Sequence, residues 1–344
     1  MMTHGQWQRR WTPRVALTMA IVLLLLCAPP PIQADPSVLA QAPKAPEVVP
    51  LRVASAFRKG VSSNWGFERF FLPLMEKMAS EYFKVQNVGG PETFPPFELI
   101  EAVRSGAVAL GNLPGAFYIS RVPAADGMKL LEGTPWEIRA RAGKWLDSIH
   151  RRIGVHWLGY TGACQNFALF TNRPVKKPDL SGMMFRTTPI YRPLLEALGA
   201  QTMTTPPGEI FTALDRGMIQ GYGWTEIGIF ELGLQERTKY VILPAFYTVD
   251  TGPVMNAGYW DRLPQAHKDA LMKVMQETER QACDFYRQAA RDERQRWQKA
   301  GIQVIEFTGA DRETYLKVIN ESAWAALKRL APNDAAELGR LLGR

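Results

Sequence analysis

From Gln265 to Lys299 the chain runs for 35 residues without a proline or a glycine. Those two residues are the ones that break helices. Apolar residues recur along this run at Leu271, Met275, Ala282, Phe285, Ala289 and Trp297, near helical spacing. A helix of that length reaches about 50 Å at ~1.5 Å per residue, more than the width of one lobe in a chain of this size. Its apolar stripe is too thin for a coiled-coil arm. The run is therefore expected to be a spine crossing two lobes.

The rest of the chain must fold around such a spine, and it alternates strand with helix. Leu51–Ala54 reads as a strand, Asn64–Ser80 as a helix, Phe83–Gln86 as a strand and Phe97–Arg104 as a short helix closed by Gly106. Ala107–Leu110 reads as a buried strand and Trp136–Arg152 as an amphipathic helix. Val155–Tyr160, Phe167–Thr171 and Met184–Thr187 follow as strands. Tyr191–Leu198 and Gly208–Arg216 read as helices, each with a glycine beyond its end. After the spine come a strand at Ile302–Ile305 and a helix over Arg312–Leu330. This alternation predicts an α/β fold with mostly parallel sheets and helices on both faces. No repeat of 20–50 residues is present, which excludes a solenoid.

The first 34 residues carry Arg9, Arg10 and Arg14, no acidic residue, an apolar run from Val15 to Cys27, and a small residue at Ala34. This is the pattern of a secretory signal peptide, and the run is too short to span a bilayer comfortably. A twin-arginine signal fits poorly because Trp11, Thr12 and Pro13 follow the arginines. A lipid-modified Cys27 fits poorly because Leu26 precedes it. The proline- and alanine-rich stretch 35–50 is expected to be a linker. The formal net charge is +8, three of it in the signal, and no basic run is present, so nucleic acid is not an expected partner. Beyond Cys27 only Cys164 and Cys283 remain. Pairing in an oxidising compartment and two buried free thiols both fit the sequence.

No metal-ligand spacing, nucleophile elbow or phosphate-cradling loop is found, so no cofactor or metal is expected. Cys164 with His156 could be a nucleophile and base, but a packed thiol is the simpler reading. Groups suited to binding do gather after the expected strands, where α/β proteins hold ligands. Trp65 follows the first strand; Phe117 and Tyr118 follow the third; Gln165 and Asn166 follow the strand ending at Tyr160; Tyr222 and Trp224 come later. Arg186 stands among apolar neighbours, and its planar fork suits a carboxylate. A structural ion pair with a glutamate of the same chain is the competing reading for it.

Several ordered segments resemble one family. They are Asp179–Arg186, Leu198–Ala200, the run from Pro207 to Gly221 that contains Glu209-Ile210-Phe211-Thr212-Ala213-Leu214-Asp215-Arg216-Gly217, Glu101–Gly106, Phe170–Val175 and Tyr259–Pro264. Together they span about Leu51 to Pro332 and resemble the solute-binding proteins of TRAP transporters. That resemblance implies a two-lobed fold of the periplasmic-binding-protein type, with hinge strands and a long helix across both lobes. The lobes would comprise 51–165 with about 254–285, and 166–253 with about 286–332, leaving 333–344 as a C-terminal tail. It also implies a periplasmic, non-enzymatic and monomeric receptor that hands a small carboxylate to membrane permease subunits. A ligand-sensing subunit of a signalling system is the alternative partner assignment. By motif the family's carboxylate-clamping arginine falls on Arg186. Many members carry a second arginine where this chain has Gln165, Asn166 and Phe167. Many also carry Gln-Glu-Asn where it has Tyr222, Gly223 and Trp224. The exchange favours a monocarboxylate with an apolar body over sialic acid or a small dicarboxylate. Gly223 replaces an acidic residue that helps hold a cation in some tryptophan-bearing members, so no metal is implied.

Overall fold

The computed structural model describes residues 47–344. The expected signal peptide, most of the linker and Cys27 lie outside them. The chain enters at β1 (Val49–Ser55), so the last residues of the expected linker already belong to a strand. There follow α1 (Ser62–Trp65), a π-helical turn (Gly66–Phe71), α2 (Leu72–Ala79), β2 (Phe83–Asn87), α3 (Leu99–Ser105), β3 (Leu110–Leu113), α4 (Pro135–Arg151) and β4 (Val155–Trp157). The second half holds β5 (Asn166–Thr171), β6 (Met184–Thr187), α5 (Arg192–Ala197), β7 (Gln201–Thr204), α6 (Ile210–Asp215), β8 (Gly221–Thr225) and β9 (Tyr240–Thr248). It closes with β10 (Gly252–Asn256), α7 (Ala257–Arg262), α8 (Gln265–Lys299), β11 (Gln303–Glu306), α9 (Gly309–Leu330) and α10 (Pro332–Leu341). The last helix occupies what reads in sequence as a tail, and it buries Leu338.

These strands form two sheets, in the orders β2-β1-β3-β10-β4 and β11-β9-β5-β8-β6-β7. They are mixed rather than mostly parallel. The reversed strands are β10, antiparallel to β3 and β4, and β5, antiparallel to β8 and β9. Both have just arrived from the other sheet, and a strand entering along a crossing segment meets its neighbours head to tail. The two crossings, β4 to β5 and β9 to β10, run side by side. Thr161 and Gly162 N–H donate to Thr251 O, and Val249 N–H donates to Gln165 O. The contact is so close that a Cβ on Gly252 would overlap the carbonyl of Gly159, which is why only glycine serves there.

Local departures from the expected elements have physical causes. The third strand begins at Leu110, not Ala107, because Val108 N–H turns back to Ala102 O as the C-terminal turn of α3. The first long helix contains a π-turn closed by Leu72 N–H to Phe67 O. That wider turn precedes Pro73, whose missing N–H could not continue an α-helical ladder.

The long helix α8 is anchored to both halves. Leu271, Val274 and Met275 are fully buried against Phe67 and Phe71 beneath the first sheet. Trp297 is fully buried beneath the second, 5.8 Å from the ring of Phe170. Burial of each such side chain stabilises by about 1.5–3 kcal/mol. Polar ties supplement them. Buried Glu279 accepts from Arg139 and from Tyr160 N–H, and buried Glu293 accepts from Gly228 N–H.

Cys164, on the first crossing, forms a disulfide with Cys283 in the middle of α8, with their Cα atoms 5.1 Å apart. The pairing rules out both free thiols and a Cys164 nucleophile. His156 instead bonds Asp147 and stacks on Trp260. A bridge across 119 residues restricts the unfolded chain strongly. Cys164→Ala/Cys283→Ala is therefore expected to lose about 2–5 kcal/mol in denaturant unfolding. The parent chain treated with reductant should lose a similar amount.

Candidate functional site

Between the two sheets lies a cavity of about 40 Å³ lined by Phe57, Ala116 and Phe117 from one side and Phe167, Arg186, Thr188, Tyr191 and Trp224 from the other. Val249 and Thr251 of the second crossing close its floor. Strand geometry delivers the key side chains. Arg186 sits near the end of β6, in register with Tyr222 of β8. Trp224 lies two residues beyond Tyr222 on the same strand.

Arg186 is only 1% exposed. Its Nε and Nη2 donate to Thr205 O at 3.1 and 2.8 Å, and its Nη1 donates to the Tyr191 hydroxyl at 2.7 Å. Both acceptors are neutral. Among the described residues no ion pair includes Arg186, so the competing structural-pair reading has no glutamate to support it. Burial pushes the guanidinium below the usual arginine range, partly offset by Tyr191. Three of its five N–H groups are used, leaving one on each Nη. The Trp224 ring lies 5.9 Å from the guanidinium carbon. Tyr191 in turn donates to Gly223 O at 2.9 Å, and any side chain at Gly223 would collide with the Tyr191 ring. Among the described residues, Thr188 Oγ1 and Trp224 Nε1 are buried without a hydrogen-bond partner.

Of the residues singled out from sequence, Arg186, Trp224 and Phe117 converge on this cavity. Tyr222 is fully buried in the core behind it, stacked on Phe170 and bonded to Thr238. Tyr118 bonds His150 in the core. Gln165 is buried at the crossing and donates to Gly162 O, whereas Asn166 is exposed. Trp65 donates to Gly60 O and packs against Phe285 of α8, with Arg69 over its ring. Sequence reading passed over Phe57, Thr188 and Tyr191. Tyr191 carries one usable signal, its place five residues after the arginine it orients.

A buried charged cluster adjoins the cavity. Lys129 Nζ donates to Asp126 Oδ1 at 2.7 Å and to Ile190 O at 2.6 Å, and it lies 4.9 Å from the centre of the Tyr247 ring. It thereby ties the turn Pro123–Leu130 to the segment carrying Thr188 and Tyr191. Nearby Asp250 lies between the floor residues Val249 and Thr251. Among the described residues no side chain hydrogen-bonds its carboxyl. Burial pushes that carboxyl up to about 7, opposed by the backbone of Asp250 and Gly115 and by Lys129.

The chain and its fold match known proteins. Residues 134–328 match the family model "Bacterial extracellular solute-binding protein, family 7". The chain belongs to this family. It is a TRAP-type solute-binding protein, built on the two-lobed α/β fold of those receptors. The monocarboxylate 2-oxoacid-binding periplasmic protein of a Nostoc species is 25% identical over 234 residues. That match spans 63% of this chain and 63% of the Nostoc protein, under two thirds of the relative's length. A TRAP periplasmic solute-binding protein from Desulfovibrio salexigens with bound orotic acid superposes with a TM-score of 0.75 at 22% identity, covering 85% of this chain and 96% of that one. A Bordetella pertussis extracytoplasmic solute receptor binding pyroglutamic acid gives 0.75 at 17% identity, with 85% and 98% covered. Family 7 receptors act outside the cytoplasm. Among the described residues of this member, no helix is long and apolar enough to cross a membrane.

The Asp250 carboxyl has a consequence for stability. Its folded pKa lies above the ordinary 3.8, so between about pH 4 and 7 the folded chain holds a proton that the unfolded chain releases. Its contribution to stability falls as pH rises through that window. Asp250→Asn removes this loss, and its melting temperature relative to the parent is expected to be higher at pH 8 than at pH 5. His150, held down to about 4 by burial, acts in the opposite sense as pH falls below 6.5 and is common to both proteins. Equal differences at the two pH values would show that Asp250 is already ionised in the folded chain by pH 5, with no raised pKa.

Proposed function

We propose that this TRAP-type receptor binds a small monocarboxylate with an apolar body in the cavity between its lobes, and that it delivers this ligand to membrane permease subunits without changing it. The observation that carries the reading is Arg186: a buried cation with neutral partners and one free N–H on each Nη. A carboxylate takes two parallel bonds from such a fork, and in a dry site the charge gains most from an anion. Thr188 Oγ1, buried without a partner at the same cavity, suits an oxygen beside the carboxylate, such as a 2-oxo or 2-hydroxy group. Phe57, Phe117, Phe167 and Trp224 suit the carbon atoms next to the head group. The naming of the Nostoc relative as a 2-oxoacid binder and the bound acids of the structural neighbours point the same way.

In this reading the N-terminal 34 residues direct export to the periplasm, where the Cys164–Cys283 bridge can form and persist. Closure of the two lobes over the ligand would bring both walls of the cavity onto it, and the closed face would dock on the permease.

The test is a thermal-shift screen of carboxylates, each paired with its amide, on the parent and on Arg186→Met. A ligand that binds only the folded form raises the melting temperature. The parent is expected to respond to 2-oxo or 2-hydroxy monocarboxylates and not to the amides. Arg186→Met should fold, since it removes a desolvated charge with no counter-ion. It should lose about 1.5–3 kcal/mol or more of binding, the worth of charge-assisted hydrogen bonds. Unchanged affinity in the variant would sink the assignment.

A further inference from the structure

The cleft holds a second chamber. It has about 310 Å³ of free space, against about 40 Å³ at Arg186, and Phe57 and Trp224 belong to the walls of both. Its other walls are carbon: Val61 and Pro96 on the side of the first sheet, Pro207 and Leu232 on the side of the second. Proline has no N–H, and valine and leucine have no polar side-chain atom. A hydroxyl or second carboxylate placed among them would lose its water without gaining a partner, which costs about 1–3 kcal/mol for each neutral group and more for a charge. The charged groups of the chamber, Arg58 and Glu209, stand exposed at its rim.

The cavity at Arg186 is too small to hold much more than a carboxylate and its neighbouring atoms. A longer ligand must leave it, and Phe57 and Trp224 line both spaces. We propose that the proline-walled chamber is the subsite for the ligand's tail, so that the receptor selects monocarboxylates bearing an extended, unsubstituted hydrocarbon chain. The inference rests on the carboxylate being held at Arg186. It adds a specificity that Arg186 cannot supply, because the arginine reads only the head group.

The experiment is calorimetric titration of the chain with unbranched 2-oxo acids of three to eight carbons, alongside 2-oxohexanedioate as the partner of 2-oxohexanoate. Affinity is expected to rise with length by about fourfold per methylene, the increment for burying a CH₂ group. The dioate should bind more weakly than the monoacid. Gly208, at the chamber wall, has ordinary backbone geometry, and a Cβ there would meet no atom within 4 Å. Gly208→Trp should therefore fill the chamber without strain. It should abolish the gain with length and leave the affinity for 2-oxopropanoate as in the parent.

Short acids that bind with an affinity that stays flat or falls beyond four carbons would overturn the tail subsite and leave the role of Arg186 intact. Tighter binding of the dioate would overturn it in favour of a second anion held at Arg58. Failure of every acid to bind would overturn the carboxylate reading and the subsite with it.

Discussion

One helix makes the two halves of this molecule a single structure. Along α8, Leu271, Val274 and Met275 are buried under the first sheet and Trp297 under the second. Both groups of contacts lie on one continuous helix. The disulfide at Cys283 and the carboxylate of Glu279 then attach the same helix to the first crossing segment. The crossings are bonded to one another through Thr251 and Gln165. The floor of the cleft is therefore tied both to the spine and across the two crossings, and the freedom left to the lobes is that of two bodies joined along one edge.

Around that floor the protein keeps charges that an ordinary core would avoid. Arg186 is desolvated with only neutral acceptors. Asp126 and Lys129 are buried as a pair whose ammonium also reaches a backbone carbonyl of the facing segment. Buried pairs of this kind contribute little net stability against apolar replacements. Their value lies in geometry. Lys129 fixes the segment bearing Thr188 and Tyr191, Tyr191 fixes Arg186, and Gly223 leaves the room that the Tyr191 ring needs. The local rules of a stable core are broken where the ligand is expected to bind, as functional sites commonly do.

Periodicity and composition alone located the spine to the residue, because an uninterrupted helical run needs only local information. They also located β5, β6 and α4 closely. The strands β8, β9 and β10 were not legible. Gly221-Tyr222-Gly223 and Pro244 depress strand propensity, and those strands exist because neighbours already in place supply their hydrogen bonds. The candidate site was partly legible for a similar reason. Arg186 declares itself by being charged among apolar residues. Tyr222 and Trp224 look alike in sequence, yet one packs behind the cleft on Phe170 and the other lines it.

The sequence by itself determined the class of fold, the spine and Arg186 as an arginine with no local reason to be buried. Those follow from short-range pattern, which each segment carries independently of the rest. Only the tertiary structure decided that Cys164 meets Cys283, that Tyr191 and Thr188 join Arg186, and that Phe57 faces Trp224 across the cleft. The first and the last join residues that meet only after the segments following β4 and β9 have crossed between the sheets, whereas Thr188 and Tyr191 reach Arg186 through the turn that follows β6. The meetings across the cleft are a property of the crossing, and no local pattern encodes them.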